Sequence, residues 1–346
     1  MFITLFLSII YFNISFNLDN KVVNFVAPDL SENLNAKIES WSGVAKKIVV
    51  AHQADATIGD IDFARNLLLQ RRTPPAEAVV LPVAAPKLPL KNSTSTEEFS
   101  TSANGGFVMD VVDGTVLFEK NADQPWSIAS ITKLVTALVF IDHNPGWENI
   151  YEIKKEDRRE GGRIYLFSGE KVKVKDLFYL SLVASGNTET IALVNSTGLT
   201  EEEFVIKMNE KAKTLGLEKT VFYDAVGLDD ENVSSPNEVA RIAKAAFENK
   251  DIVKATLTKK YEFKTLNDRR KVAYSTDSLL HGEMPDLRVL GGKTGYNEKA
   301  GYCFVGKFTN SENHEIISVI LGDVDEKSRF TQAYNLAEWA YDNYHW

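Results

Sequence analysis

Cysteine and histidine are scarce in this chain. Among 346 residues there is one cysteine, Cys303, so no disulfide can form within the chain and cysteine pairing says nothing about its compartment. The five histidines are His52, His143, His281, His314 and His345. No pair of them has metal-ligand spacing and none sits in a nucleophile motif. A zinc site and a Ser-His-Asp triad are therefore not expected, and neither is a metal or cofactor. Positive charge is also short. Lys and Arg number 39 against 48 Asp and Glu, a net charge of −9 that argues against nucleic acid as a partner. Any anion-binding site must then be a local basic pocket. There is no internal repeat.

What is present fits a globular protein. Hydrophobic residues make up 44% and charged residues 25%, enough for a real core in one large domain or two. Four segments differ in character. Phe2 to Leu18 is strongly apolar, slightly short for a spanning helix and long for the core of a signal peptide. No Lys or Arg precedes it. It is expected to be a signal or membrane anchor at 1–18, with a buried core element as the other reading. Residues 19–72 carry no motif, beyond a short helix expected at 60–69. Residues 73–102 are rich in Pro, Ala, Ser and Thr and read as an extended, mobile linker. From 103 to 346 the patterning is continuous and dense.

Three strings within this last segment carry chemistry. They are Ser130-Ile131-Thr132-Lys133, Ser185-Gly186-Asn187 and Lys293-Thr294-Gly295. Together they supply a hydroxyl nucleophile, an amine to deprotonate it, a polar relay and a cationic strand edge able to hold a carboxylate, the parts needed for acyl transfer through a serine ester. Singly they are weak. Ser168-Gly169-Glu170-Lys171 is a second Ser-x-x-Lys, and Ser-x-Asn recurs several times; only Lys-Thr-Gly is rare, expected about 0.1 times by chance. Context separates them. Ser130 follows Gln124-Pro125-Trp126 and opens an apolar helical run, with Lys133 almost one turn on. Ser168 precedes a turn and a short alternating strand. Ser185 ends the apolar run from Leu177, and Gly186 is expected to permit a sharp turn there. Lys293 lies among glycines in a strand pattern, which points to close approach by another group.

The coarse order is two strands joined by Asp113-Gly114, a block of helices, three strands and a final helix at about 328–343. That helix turns Phe330, Tyr334, Leu336, Ala337 and Trp339 inward. N-caps are marked at Thr200-x-x-Glu203 and Ser235-Pro236. Strands from both ends of the segment must share one antiparallel sheet, with the helices segregated from it: an α+β fold. This brings Ser130 near the edge strand bearing Lys293. Two ammonium groups, Lys133 and Lys293, are expected to converge on the Ser130 hydroxyl, with burial and Lys293 lowering the pKa of Lys133.

With these residues in place, 103–346 resembles the D-alanyl-D-alanine carboxypeptidases of the S11 peptidase family, the low-molecular-weight penicillin-binding proteins. The likeness extends to Asp113-Gly114 and the residues after it, to Val174-Lys-Asp176-Leu177, and to Tyr296 with Ala300-Gly301-Tyr302-Cys303. The resemblance implies a β-lactamase/penicillin-binding-protein-like fold with a five-stranded antiparallel sheet and a serine D,D-peptidase catalytic domain. The C-terminal β-rich domain of many members is not expected, since the chain ends just after the last helix. It also implies roles. Ser130 would attack the penultimate D-alanine of a peptidoglycan stem peptide and form an acyl-enzyme, with Lys133 taking its proton. Ser185 and Asn187 would relay protons and orient the peptide. Lys293, Thr294 and Gly295 would bind the terminal carboxylate, helped by Arg329. The oxyanion would sit between the N–H groups of Ser130 and Tyr296. β-Lactam antibiotics would inhibit covalently, and the address would be extracytoplasmic, in the cell envelope. Two departures stand out: Thr188-Glu189 follows Asn187 where the family usually has Asp-Ala, and Gly186 stands where class A β-lactamases have Asp. A D,D-endopeptidase, a β-lactamase drawing on Glu160 or Glu170, and a catalytically silent wall-binding protein remain as alternatives.

Overall fold

The computed structural model describes the strands Thr4–Ser8, Tyr11–Leu18 and Lys21–Ala27, and residues 88–92, 98–282 and 286–346. The chain divides into two units, Met1–Ala84 and Ala85–Trp346. In the first, the three described strands form an antiparallel sheet, so the described parts of the apolar stretch expected as a signal or anchor, Thr4–Ser8 and Tyr11–Leu18, are strand. Among the described residues no helix is long and apolar enough to cross a membrane. The helix expected at 60–69 lies outside the described residues.

The second unit is built on the predicted sheet. Strands β1 (Gly105–Asp110) and β2 (Val116–Lys120) turn through Asp113-Gly114. Gly114 has φ +80°, a left-handed conformation that glycine adopts without cost, and Asp110 Oδ1 accepts from the Val112 and Asp113 amides at 2.8 and 3.1 Å. The C-terminal strands are β3 (Arg288–Asn297), β4 (Gly301–Thr309) and β5 (Glu315–Asp323). The sheet order is β3-β4-β5-β1-β2, every pair antiparallel. β3 is therefore an edge, with one row of N–H and C=O groups not used by the sheet.

Seven helices are described in this unit: α1 (Lys133–Asp142), α2 (Val174–Val183), α3 (Asn187–Ser196), α4 (Glu201–Thr214), α5 (Pro236–Phe247), α6 (Lys250–Thr256) and α7 (Ser328–Asn343). They cover both faces of the sheet. Phe107, Met109, Cys303, Val305, Ile317 and Val319 face the block that includes α1, α2 and α5. The alternate residues, among them Val108, Phe304, Phe308, Ile316 and Ile320, face α7 through Phe330, Leu336 and Ala337. Burial on two faces is why these strands read as continuous apolar runs rather than as alternating ones. Both marked caps form. Thr200 Oγ1 accepts from the Glu203 amide at 3.1 Å while Glu203 accepts from the Thr200 amide at 2.9 Å. Ser235 Oγ accepts from the Glu238 amide at 3.3 Å. Such caps contribute about 1 kcal/mol each.

One boundary moves. The folded unit begins before residue 103, because part of the expected linker is paired. Leu90–Lys91 pairs with Tyr344–His345, and Lys120 Nζ donates to the carbonyls of Thr101 and Ala103 at 2.8 Å each. Phe99 meets Phe118 edge to face at 5.7 Å. The short strand pairing, Phe99 and two backbone carbonyls are among the contacts that dock these residues, and their composition hides them.

Candidate active site

The nucleophile-bearing turn is tightly built. Trp126–Ser127 pairs with Val233–Ser234, and the chain then enters a 3₁₀ turn over Ala129–Thr132 that runs directly into α1. Ser130 thus precedes the α-helix rather than opening it. Ala129 has φ +44°, a strained conformation for alanine that costs about 1–2 kcal/mol. Gly227 presses on this point: a Cβ there would come within 1.9 Å of the Ala129 carbonyl oxygen and 2.9 Å of the Ser130 amide. The Ser130 side chain remains half-buried, open to a substrate.

Lys133, the first residue of α1, brings its amine to 2.8 Å from Ser130 Oγ. The same Nζ meets Asn187 Oδ1 at 2.8 Å and the Val226 carbonyl at 2.6 Å. The side chain is fully buried. Burial lowers its pKa to about 7, while the Asp224 and Glu189 carboxylates pull the other way. The neutral amine has two N–H groups and one lone pair. With the N–H groups on Asn187 and Val226, the lone pair faces the Ser130 hydroxyl. Val226 is held by Asp224, which accepts from the amides of Val226, Gly227, Leu228 and Asp229 at 2.5–2.9 Å. Asn232 joins this loop to α1's entry through Thr132 Oγ1 at 3.2 Å.

Ser185 lies on the other side. It follows α2 with φ +56°, so the serine itself makes the sharp turn, whereas Gly186 has an ordinary φ of −66°. Glycine is needed at 186 for room: a Cβ there would lie 2.3 Å from Glu189 Oε2. Asn187 then opens α3, and its Nδ2 donates to the carbonyls of Glu160 and Gly161 at 3.1 and 3.2 Å.

The third wall is β3. Lys293 is buried, and its Nζ donates to Ser185 Oγ at 2.7 Å and to the Thr294 carbonyl at 2.9 Å. Burial, then the charges of Lys133 and Arg329, holds its pKa well below the lysine range. Thr294 Oγ1 bonds Thr276 Oγ1 at 2.7 Å. Gly295 brings the strand against the nucleophile turn: a Cβ there would lie 2.5 Å from the Ile128 carbonyl oxygen. Tyr296 is exposed and stacks on Tyr302 at 4.4 Å. Arg329 is buried, not a solvated helix-end charge, and donates to the Gly295 carbonyl at 3.1 Å. Asp277 is buried nearby. Burial pushes its carboxyl up to about 6, against the pull of the Leu279 amide and the Arg329 and Lys293 charges.

Residues 91–325 match the S11 peptidase family, described as D-alanyl-D-alanine carboxypeptidase. The chain belongs to that family. It is 30% identical over 260 residues to the D-alanyl-D-alanine carboxypeptidase DacF of Bacillus subtilis, covering 72% of this chain and 64% of that protein. It is 33% identical over 200 residues to a D-alanyl-D-alanine endopeptidase of Haemophilus influenzae, covering 57% of this chain and 68% of that one. Among solved structures, the Streptomyces K15 DD-transpeptidase superposes with a TM-score of 0.66 at 27% identity, covering 71% of this chain and 99% of its own. The chain thus spans slightly under two thirds of DacF.

Within this S11 chain, Lys133 joins Ser130 to Asn187, Lys293 joins Ser185 to the Thr294 carbonyl, Gly295 packs its strand against the nucleophile turn with Arg329 on its carbonyl, and Tyr296 is exposed. One further expectation needs correction. The two ammonium groups do not converge on one alcohol; Lys133 serves Ser130 while Lys293 bonds Ser185. Repulsion between the two buried ammonium groups, which is mutual, is among the causes that hold the Lys293 pKa down. Ser168 is exposed in a turn, and Lys171 pairs with Glu152 at 3.4 Å, so the second Ser-x-x-Lys builds no site. Glu170 is spent on the Phe167 amide and Lys271 Nζ, each at 2.8 Å. The Val226 carbonyl, Asp224, Gly227 and Glu189 were not foreseen. The Asp224-Ala-Val-Gly227 cluster of turn formers was a signal for the first three.

Proposed function

We propose that this chain is a serine-type D-Ala-D-Ala carboxypeptidase that removes the terminal D-alanine from peptidoglycan stem peptides through an acyl-enzyme on Ser130. The observation that carries the reading is the 2.8 Å contact between Ser130 Oγ and a buried Lys133 amine whose pKa is about 7. A neutral amine at that distance takes the hydroxyl proton as Oγ attacks the carbonyl carbon. The N–H groups of Ser130 and Tyr296 receive the oxyanion. Breaking the peptide bond needs a proton on the departing amine, and Ser185, bonded to Lys293, stands on the opposite side of the cleft to supply it. Water then cleaves the ester.

Carboxylate recognition follows from charge. In the free protein Lys293 is disfavoured as a cation by burial, Lys133 and Arg329. A substrate carboxylate entering beside Thr294 supplies the missing counter-charge and restores the ammonium. A substrate lacking that carboxylate leaves the repulsion in place, which selects for chain ends. A β-lactam carries a carboxylate and an acyl group together, so covalent penicillin binding belongs to the same reading. The Phe2–Leu18 segment is read as a signal or anchor holding the domain at the cell envelope; fractionation of cells expressing the full chain tests that separately.

The test of activity is incubation with a D-Ala-D-Ala pentapeptide. Release of one D-alanine, abolished in Ser130→Ala, is expected. A second reading, cleavage of D-Ala cross-links, has one observation in its favour, the 33% identity to the Haemophilus endopeptidase. Cleavage of a cross-linked dimer faster than the pentapeptide would establish it.

A further inference from the structure

Glu189 takes no part in the chemistry proposed above, yet it is the most enclosed carboxylate beside the site. It is the third residue of α3 and has no exposed surface. Its Oε1 accepts from the Tyr165 and Leu166 amides at 2.9 and 3.0 Å. Its Oε2 has no hydrogen-bond partner and lies against Gly186. Leaving a buried carboxylate oxygen unpaired costs about 1–3 kcal/mol, so a purely structural cap would be better served by an amide or an alkyl group. The surroundings show where that oxygen acts. Gly186 is bare of a side chain where the carboxylate needs room, and its carbonyl is held from the same helix turn by Thr190 Oγ1 at 2.6 Å. One residue on, Asn187 reaches Lys133, and its amide ties the loop at Glu160 and Gly161. The loop over 160–166 is thus tethered to the start of α3 twice, once by Asn187 and once by Glu189.

We propose that Glu189 is a positioning residue of the acylation step: its carboxylate clamps the Tyr165–Leu166 loop to the Ser185-Gly186-Asn187 turn and holds a negative charge behind the Lys133 amine. The inference rests on the reading of Ser130 as nucleophile and Lys133 as base. The charged and titratable groups around it are few. Lys133 acts on it from α1 and Tyr165 from the loop, and Asp224 acts on the same Lys133 amine. Burial raises the Glu189 pKa, while its own amide, those of Tyr165 and Leu166, and Lys133 favour the charged form. Glu189 and Asp224 together stop burial from driving Lys133 lower still. The Lys133 amine is thereby kept basic enough to take a hydroxyl proton.

The test is the pH profile of Ser130 acylation by a fluorescent penicillin, measured on the full chain and on Glu189→Gln. The amide keeps an oxygen for the Tyr165 and Leu166 amides and removes the charge. Without that charge Lys133 loses its proton more readily, so the acid limb of the profile moves to lower pH, by about half a unit or more. Glu189→Ala is the second variant, should the amide version fail to fold. It shifts the limb the same way and also lowers the plateau, because the clamp is gone. Restoring the carboxylate in Glu189→Asp returns the limb towards the wild-type position. An unmoved limb, with only the plateau or the melting temperature changed, overturns the proposal and reduces Glu189 to packing. Absence of any adduct in the wild type is a different failure: it removes the reading of Ser130 on which this inference stands.

Discussion

Gly227→Ala is the substitution by which a residue outside the three motifs is expected to disable the site. Gly227 has φ +81°, which alone costs an alanine about 1–2 kcal/mol. Its Cβ would stand 1.9 Å from the Ala129 carbonyl oxygen and 2.3 Å from the Ala129 carbonyl carbon. Both are backbone atoms and cannot rotate away. Either the Asp224–Asp229 loop or the Ala129–Ser130 turn must shift by an ångström or more, an overpacking cost of about 1–3 kcal/mol. The sum, about 2–5 kcal/mol, lowers the melting temperature by about 4–20 °C for a unit of this size. The larger effect is on chemistry. Ala129 carries Ser130, and Gly227 follows the Val226 carbonyl that holds Lys133, so the clash pushes apart the two atoms that must exchange a proton. A displacement of 1 Å costs about 100-fold in rate. The assay is penicillin acylation under single-turnover conditions beside a thermal melt. An alanine variant that acylates at the wild-type rate would refute the account of how this turn is held.

Acylation is expected to rise with pH through about 7, since only the deprotonated Lys133 acts as base. The same depressed pKa means the unfolded chain binds more protons than the folded one between about 7 and the lysine reference of 10.5, so stability rises with pH across that window. Lys133→Met should flatten that rise; an unchanged slope in a pH series of melts counts against the burial argument. Glu238→Ala should cost about 2–4 kcal/mol in denaturant unfolding, because this buried carboxylate accepts from the Glu218 and Lys219 amides and from Thr220 Oγ1, all within 3.0 Å. Lys293→Gln should raise KM for carboxylate-terminated substrate at least about tenfold while a penicillin amide is little affected; equal losses on both would argue against carboxylate recognition by β3.

Local spacing made much of this legible. Ser130 and Lys133 are three residues apart at a helix start, which fixes their neighbourhood before any tertiary contact is known. Lys293-Thr294-Gly295 is rare enough to stand out, and the sheet follows from Asp113-Gly114 and from apolar runs at both ends of the unit. What failed was pairing over distance. Nothing in the spacing says that Lys293 reaches Ser185 rather than Ser130, because that depends on how far β3 slides past the end of α2. Glycine usually takes the left-handed position, so the sequence points to Gly186 for the turn at Ser185. Here the glycine makes space for Glu189, and the serine bears the strain. The Val226 carbonyl is backbone, so no side-chain pattern could name it. The docked residues at 88–92 and 98–102 are concealed by the proline and serine content around them.

Peptide mapping of the protein after treatment with penicillin bears most directly on the central claim, that a buried neutral amine at Lys133 activates one of two lysine-bonded serines in the cleft. The account predicts a single adduct of one penicillin mass on the peptide containing Ser130, lost in Lys133→Met and retained in Ser185→Ala. An adduct on Ser185, or undiminished labelling of Ser130 without the Lys133 amine, would contradict it.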